Sequence, residues 1–185
     1  MLFVESTNYS TVWEPEPTRV PRRSVVVDGR FGGDTRRSCP KGDGQCRRCY
    51  VAHDHGTYAG VSPIPGLIPA LAVRAVVLST PEPGLAVVGA GKRDLPYDAG
   101  YTVLLAASGV DGQAKPEARG VVRKLYDHHT VLEKTSGLDV GDVAQLGISH
   151  PCSAFERWSS YLVTDMERRV VDVWQSSFNR STISG

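Results

Sequence analysis

The sequence lacks long hydrophobic runs. No segment approaches the roughly 18 consecutive apolar residues that a membrane-spanning helix needs. Residues 1–20 contain acidic side chains and no continuous apolar core, so they do not have the pattern of a secretory signal peptide. The sequence therefore predicts no membrane partner.

The sequence also has little net charge and few cysteines. A formal net charge of +1 provides no excess of positive charge that would attract nucleic acid or an acidic membrane surface. Four cysteines, three of them clustered at Cys39, Cys46 and Cys49, do not make the disulfide framework of a small secreted protein. These features predict a cytoplasmic protein that does not bind nucleic acid.

Two common catalytic motifs are missing as well. Residues 89–94 include Gly91-Lys92 but lack the spacing of a phosphate-binding loop, and the residues after them do not open a helix. The sequence contains no Gly-x-Ser-x-Gly nucleophile elbow. Neither nucleotide binding nor serine hydrolase chemistry is predicted.

The composition that remains is that of one globular domain with an extension. Hydrophobic residues make up 41% and charged residues 22% of 185 residues. Residues 1–46 are rich in turn-forming residues and arginine, which predicts an irregular, disordered arm with one short strand at 24–27. Residues 47–180 are predicted to form a single β domain.

The pattern of this domain is a succession of short β-branched runs separated by turn residues. No segment keeps a helical apolar period over 11 or more residues. The fold class expected is mostly β, a small antiparallel β-barrel or sandwich with an irregular N-terminal arm. The predicted strands of this domain are 73–79, 85–88, 101–105, 120–126, 130–133, 143–148, 161–164 and 170–174.

The most informative motif is His150-Pro151-Cys152, near the end of a valine-rich run. In an extended strand, His150 and Cys152 would project from the same face and could offer an imidazole and a thiol to a zinc-like metal. The simpler alternative is a buried cysteine beside a hydrogen-bonded histidine. Further ligands would have to converge on this point, and other polar clusters provide candidates.

Three such clusters stand out. Asp127-His128-His129 lies between two predicted strands, and His53-Asp54-His55 forms a second group; for both, a solvated loop is the alternative. Cys39, Cys46 and Cys49, with His53, could nominally form a zinc knuckle, although the spacing between Cys39 and Cys46 differs from the usual pattern. Unrelated thiols are the alternative here.

In their order along the chain, these segments resemble one family. They are Cys49-Tyr50 with His53-Asp54-His55 in 49–58, then 77–84, 91–98, 124–129 with Asp127-His128-His129, 140–152 with His150-Pro151-Cys152, and 161–174. The match covers residues 47–178 and resembles the C-terminal half of the D-threonine aldolase and D-serine dehydratase-like enzymes. These are pyridoxal-phosphate proteins of the alanine-racemase fold type.

The resemblance implies a metal- and cofactor-dependent lyase that acts on a β-hydroxy-D-amino acid. His150 and Cys152 match the motif that binds zinc or manganese, which would polarise the β-hydroxyl oxygen. Asp127 and His129 would face the same cleft and orient ligands or substrate. Tyr50 is the candidate for cofactor binding, because its segment lies close to the cofactor phosphate.

The sequence departs from this family in ways that bear on catalysis. In the family, a barrel carrying the cofactor lysine precedes the β domain, and nothing before Arg47 matches it; Lys92 and Lys115 are poor substitutes. Arg48 replaces a family glycine, and Gly89 replaces an acidic residue. The function expected is that of the metal-binding domain of such a lyase, truncated and inactive alone.

The resemblance also leads us to expect interactions with other protein domains. A domain that normally packs on a barrel exposes an apolar patch when alone, which predicts self-association or docking to a barrel domain. The alternative is a non-catalytic β module used for interaction, in which any metal is structural or absent.

Overall fold

The fold is known from a computed structural model that describes residues 23–28, 52–60, 68–165 and 168–175; for 23–28 it describes the backbone alone. These residues contain nine β-strands and one α-helix, so the mostly β class is confirmed. None of their helices is long and apolar enough to cross a membrane. The strands are β1 (Arg23–Asp28), β2 (Leu71–Ser79), β3 (Leu85–Val88), β4 (Val103–Ser108), β5 (Arg119–Leu125), β6 (Thr130–Ser136), β7 (Val143–Gly147), β8 (Ser160–Thr164) and β9 (Val170–Gln175).

The strand β2 organises the sheet. Its first part pairs antiparallel with β1 on one side and with β7 on the other, and its last residues pair with β3. The strands β5, β6, β3, β2, β7 and β4 follow one another as a curled antiparallel half-barrel, and β4 comes to lie beside β5. The expected barrel-like antiparallel architecture is therefore present.

One pairing departs from the antiparallel expectation. The strand β1 pairs in parallel with β8, with Val26 opposite Leu162 and Asp28 opposite Thr164. The predicted strand at 24–27 is thus present as β1, and it joins the half-barrel to the β8–β9 hairpin. A local sequence pattern carries no information about this direction, because parallel partners are brought together by a long connection.

The core lies inside the curled sheet. The strand β2 alternates buried and partly buried side chains along its second half, as expected for a strand with one face on a core. The largest completely buried side chains include a tyrosine from β8 and aliphatic residues from the half-barrel: Tyr161, Leu71, Leu95, Leu132, Leu146, Ile148, Val73, Val77 and Val88. Burial of these side chains provides the main favourable free energy of folding.

An ion-pair network fastens the loop before β5 to the turn before β7. The Lys115 Nζ atom lies 2.6 Å from Asp139 Oδ2 and 2.6 Å from Asp142 Oδ2. The Asp142 carboxylate, which is buried, also accepts a hydrogen bond from the Asp139 backbone amide at 2.7 Å. Hydrogen bonds to both carboxylates raise the pKa of Lys115. The Lys115 side chain therefore links these two loops and has a structural role.

The helix α1 (Pro151–Arg157) corrects the sequence prediction for the His-Pro-Cys motif. The strand β7 ends at Gly147, and His150 is the extended residue that precedes the helix. Pro151 occupies the first helical turn, where its fixed φ is favourable and its missing N–H is not needed. The expectation that strand alternation places His150 and Cys152 on one face is therefore wrong, because Cys152 lies in a helix.

Candidate functional site

Three polar segments that are distant in sequence meet at the end of β7. The His55 amide donates a hydrogen bond to the Ile148 carbonyl at 2.9 Å, and the Ser149 hydroxyl donates to the Pro96 carbonyl at 3.2 Å. A Cβ atom at Gly56 would lie 2.6 Å from the Ser149 carbonyl oxygen. The 53–58 turn, the 95–98 loop and the start of α1 are thus packed against one another.

The central contact of this site is between His150 and Asp98. The Nδ1 atom of His150 forms a short hydrogen bond with Oδ2 of Asp98, and the two side chains are 33% and 46% exposed. Burial favours the neutral carboxyl, but the hydrogen bond with His150, a hydrogen bond from the Asp98 backbone and the charge of His150 outweigh it and lower the pKa of Asp98. An ionised carboxylate only accepts hydrogen bonds, so Nδ1 carries the proton and Nε2 is the remaining ring nitrogen.

Cys152 lies two residues further along, in the first turn of α1, and is partly buried. Its sulfur is disulfide-bonded, and the cysteine at the other end lies outside the described residues. The thiolate, not the disulfide, is the form that binds metals. Metal binding by Cys152 therefore requires the reduced protein.

The donor atoms at this site fit part of a metal centre. Across the part of the chain that the structure describes, no three His, Cys, Asp or Glu side chains are arranged to hold a metal ion. His150 and reduced Cys152 would supply one nitrogen and one sulfur, which suits zinc-like ions and leaves coordination positions for water or substrate. The role of the two residues as metal ligands stays a prediction.

The turn at His53-Asp54-His55 is buried rather than solvated. The Asp54 carboxylate accepts hydrogen bonds from the amides of Gly56 at 2.8 Å and Tyr58 at 2.9 Å. Three buried atoms have no hydrogen-bond partner, namely His53 Nε2, Asp54 Oδ2 and His55 Nδ1. His53 also has a φ of 53°, which is uncommon for a residue with a side chain. The structure thus corrects the alternative of a solvated loop.

His55 is held neutral by its surroundings. Its ring packs on Gly147, where a Cβ atom would lie 2.5 Å from Nδ1. Burial lowers the pKa of His55, an effect that the charge of Asp54 partly opposes.

Asp127 and His129 lie in the turn between β5 and β6. The His129 ring stacks on Tyr126 with 4.7 Å between ring centroids, and Asp127 is exposed. The backbone of this turn accepts hydrogen bonds from the Lys92 amide at 2.8 Å and the Arg93 amide at 3.1 Å. Within the described residues, no hydrogen bond or ion pair joins Asp127 or His129 to His150. Their role in orienting ligands stays a prediction.

Sequence reasoning missed the role of Asp98. Asp98 belongs to a segment already recognised as characteristic, 91–98, but 52 residues separate it from His150. The surface beside it carries Tyr97, whose ring lies 5.6 Å from Lys92 Nζ and 5.7 Å from the Arg157 guanidinium carbon. The available signal was a carboxylate in a segment that the fold brings next to the His-Pro-Cys motif.

Other predicted sites lie outside the described residues. These are the cofactor candidate Tyr50, the proposed zinc element at Cys39, Cys46 and Cys49, and most of the 1–46 arm. The boundary between the arm and the β domain stays a prediction for the same reason.

Comparison with known proteins identifies the domain. Residues 70–164, which are 95 of the 185 residues, match the family model described as "Putative serine dehydratase domain". The chain belongs to this family. The resemblance expected from the ordered motifs is therefore confirmed for this serine dehydratase family domain.

Two solved structures show the extent of the similarity. The domain is similar to D-threonine aldolase from Filomicrobium marinum, with 27% identity, a TM-score of 0.56 and coverage of 69% of this chain and 32% of the aldolase. It is also similar to D-threo-3-hydroxyaspartate dehydratase from Delftia sp. HT23, with 18% identity, a TM-score of 0.44 and coverage of 58% and 32%. The chain spans about a third of the length of these enzymes. No curated protein sequence matches the chain significantly.

Proposed function

We propose that this chain is the metal-binding domain of a D-threonine aldolase or D-serine dehydratase-like lyase that acts on β-hydroxy-D-amino acids. In the reduced protein, Nε2 of His150 and the thiolate of Cys152 bind Zn²⁺ or Mn²⁺. The observation that carries the proposal is the hydrogen bond from His150 to Asp98 beside Cys152, in a domain of this family. Carboxylates commonly hold metal-binding histidines in this way.

The chemistry proposed for this half of the site is electrostatic. A divalent metal supplies Lewis acidity toward the β-hydroxyl oxygen of a bound substrate. Asp98 of this chain would hold the ligand nitrogen in place, and the 53–58 turn packs against the end of β7 beside it. Two protein ligands leave room in the coordination shell for water and for the substrate oxygen.

The lysines singled out from the sequence do not suit pyridoxal phosphate. Two carboxylates hold the ammonium of Lys115 in its charged form, whereas Schiff-base formation needs the neutral amine. Lys92 is exposed and lies over the Tyr97 ring. We infer that neither Lys92 nor Lys115 carries the cofactor and that the domain is inactive alone. Added pyridoxal phosphate should therefore give no site-specific Schiff-base absorbance, and a band that Lys92→Ala abolishes would contradict this.

Titration with metal tests the central assignment. Zn²⁺ and Mn²⁺ are added to the reduced, metal-free chain and to the His150→Ala and Cys152→Ala variants. Each variant should lose binding by at least about tenfold, because each removes one of two protein ligands. Glu156→Ala is the matched control, since Glu156 is exposed on the same helix. Equal affinity in the wild type and both ligand variants would refute the proposal.

Two further features of the proposal concern location and partners. The proposed thiolate ligand at Cys152 requires a reducing compartment, so the proposal includes a cytoplasmic location. A barrel domain is the proposed partner, because the chain spans only 32% of the aldolase that it resembles. Self-association is the other outcome that sedimentation of the purified chain can reveal.

A second candidate function rests on a separate observation. Val103 and Leu105 on β4 and Val121 on the neighbouring strand β5 are exposed, at 39%, 41% and 55%. Exposed apolar side chains on adjacent strands are typical of an interaction surface. A non-catalytic β module would bind its partner equally well with and without metal, whereas a lyase domain would show metal-dependent turnover when combined with its barrel.

A further inference from the structure

Buried packing and two hydrogen bonds hold the loop that carries Asp98 in place next to His150. Asp98 follows Leu95, which is fully buried, and Pro96, whose carbonyl accepts a hydrogen bond from Ser149 at 3.2 Å. The same loop is fixed to the end of α1, because the Trp158 indole N–H donates to the Asp94 carbonyl at 2.9 Å. The 94–98 loop is therefore hydrogen-bonded both to Ser149, just before α1, and to Trp158, at the end of α1.

We propose that Asp98 is a positioning residue that fixes the tautomer and orientation of His150. This inference rests on the proposed function, in which His150 binds a metal. Asp98 itself does not bind the metal. Asp98 acts through the imidazole of His150 and determines which ring nitrogen is available to the metal.

The physical reason lies in the chemistry of imidazole. A neutral histidine carries one proton on either ring nitrogen, and only the unprotonated nitrogen has a lone pair for a metal. The Asp98 carboxylate accepts the Nδ1 proton, so the lone pair is placed on Nε2. Without this acceptor, part of the population adopts the other tautomer and the ring is free to rotate. Loss of such a partner typically reduces metal affinity by about 10- to 100-fold.

The experiment uses the reduced full-length chain and two measurements. Long-range ¹H–¹⁵N NMR of the metal-free protein gives the tautomer of His150, and competition titration gives its Zn²⁺ affinity. The wild type should show the Nδ1–H tautomer. Asp98→Ala should increase the Nε2–H form and weaken Zn²⁺ binding by about 10- to 100-fold.

Controls separate positioning from damage to the fold. Asp98→Asn keeps the shape and one carbonyl acceptor, so it should retain more Zn²⁺ affinity than Asp98→Ala, and it replaces the alanine variant if that protein does not fold. Glu156→Ala should match the wild type in both measurements, because Glu156 is exposed on the far turn of α1.

The outcomes distinguish this inference from the function on which it rests. If His150→Ala binds Zn²⁺ as well as the wild type, the proposed function is wrong, and the tautomer measurement still decides the role of Asp98. If His150 is required for binding but Asp98→Ala retains the wild-type tautomer and affinity, the positioning role is overturned.

Discussion

Single residues determine how closely the segments of this site approach one another. Gly91 lies where the 91–95 loop meets the β5–β6 turn, and its missing side chain allows the two backbones to touch. His55 lies against Gly147 with its Nδ1 atom buried and without a hydrogen-bond partner. Substitution at each position can test its contribution to stability.

The first prediction concerns Gly91. In Gly91→Ala, the new Cβ atom would lie 2.6 Å from the His129 backbone nitrogen, so the loop must shift away from the turn. We expect a loss of about 1–3 kcal/mol in the free energy of unfolding, measured by urea denaturation. Gly89→Ala is the control, since its Cβ would meet only the end of the Leu78 side chain, at 3.2 Å. Equal losses in both variants would contradict this account.

The second prediction concerns pH. The pKa of His55 is lowered in the folded state. As the pH falls below the ordinary histidine pKa of about 6.5, His55 therefore takes up a proton more readily in the unfolded chain than in the folded protein. The contribution of His55 to stability is thus complete above about pH 6.5 and is lost as the pH falls. The melting temperature should decrease over this interval, and His55→Gln should reduce the decrease. If exposed His128→Gln reduces it equally, the assignment to His55 fails.

At the scale of secondary-structure elements, the strands were the predictable part. All eight strands expected after residue 47 are present, and most of their boundaries differ by only a residue or two, because β-branched runs and turn residues mark them locally. The helix α1 was missed because seven residues are too few for a helical period. The contact between Asp98 and His150 was missed because it joins loops whose approach depends on the whole sheet.

The third prediction tests the attachment of α1 to the 91–98 loop. Trp158→Phe retains most of the packing but removes the 2.9 Å hydrogen bond from the indole N–H to the Asp94 carbonyl. We expect a loss of about 1 kcal/mol in the free energy of unfolding. The variant should also release the loop, which amide hydrogen exchange at Leu95 can detect. Unchanged exchange together with unchanged stability would show that this bond does not hold the two elements together.

At the scale of the whole molecule, the chain resembles one part of a larger enzyme. It belongs to a family of serine dehydratase domains, and it spans about a third of the aldolase that it resembles. Lys92 lies over the Tyr97 ring, Lys115 is paired with two carboxylates, and Nδ1 of His150 is hydrogen-bonded to Asp98. Under the proposed function, the domain would present a metal to a substrate held elsewhere.

The most direct test of this account is the absorption spectrum of the reduced chain with Co²⁺, which reports thiolate and imidazole ligation. The wild type should bind one Co²⁺ per chain and show a sulfur-to-metal charge-transfer band. Cys152→Ser should lose the band, and His150→Ala should require more Co²⁺ to develop it. In a variant that combines His150→Ala with Cys152→Ser, a spectrum identical to that of the wild type would contradict the assignment of the two residues as the metal ligands.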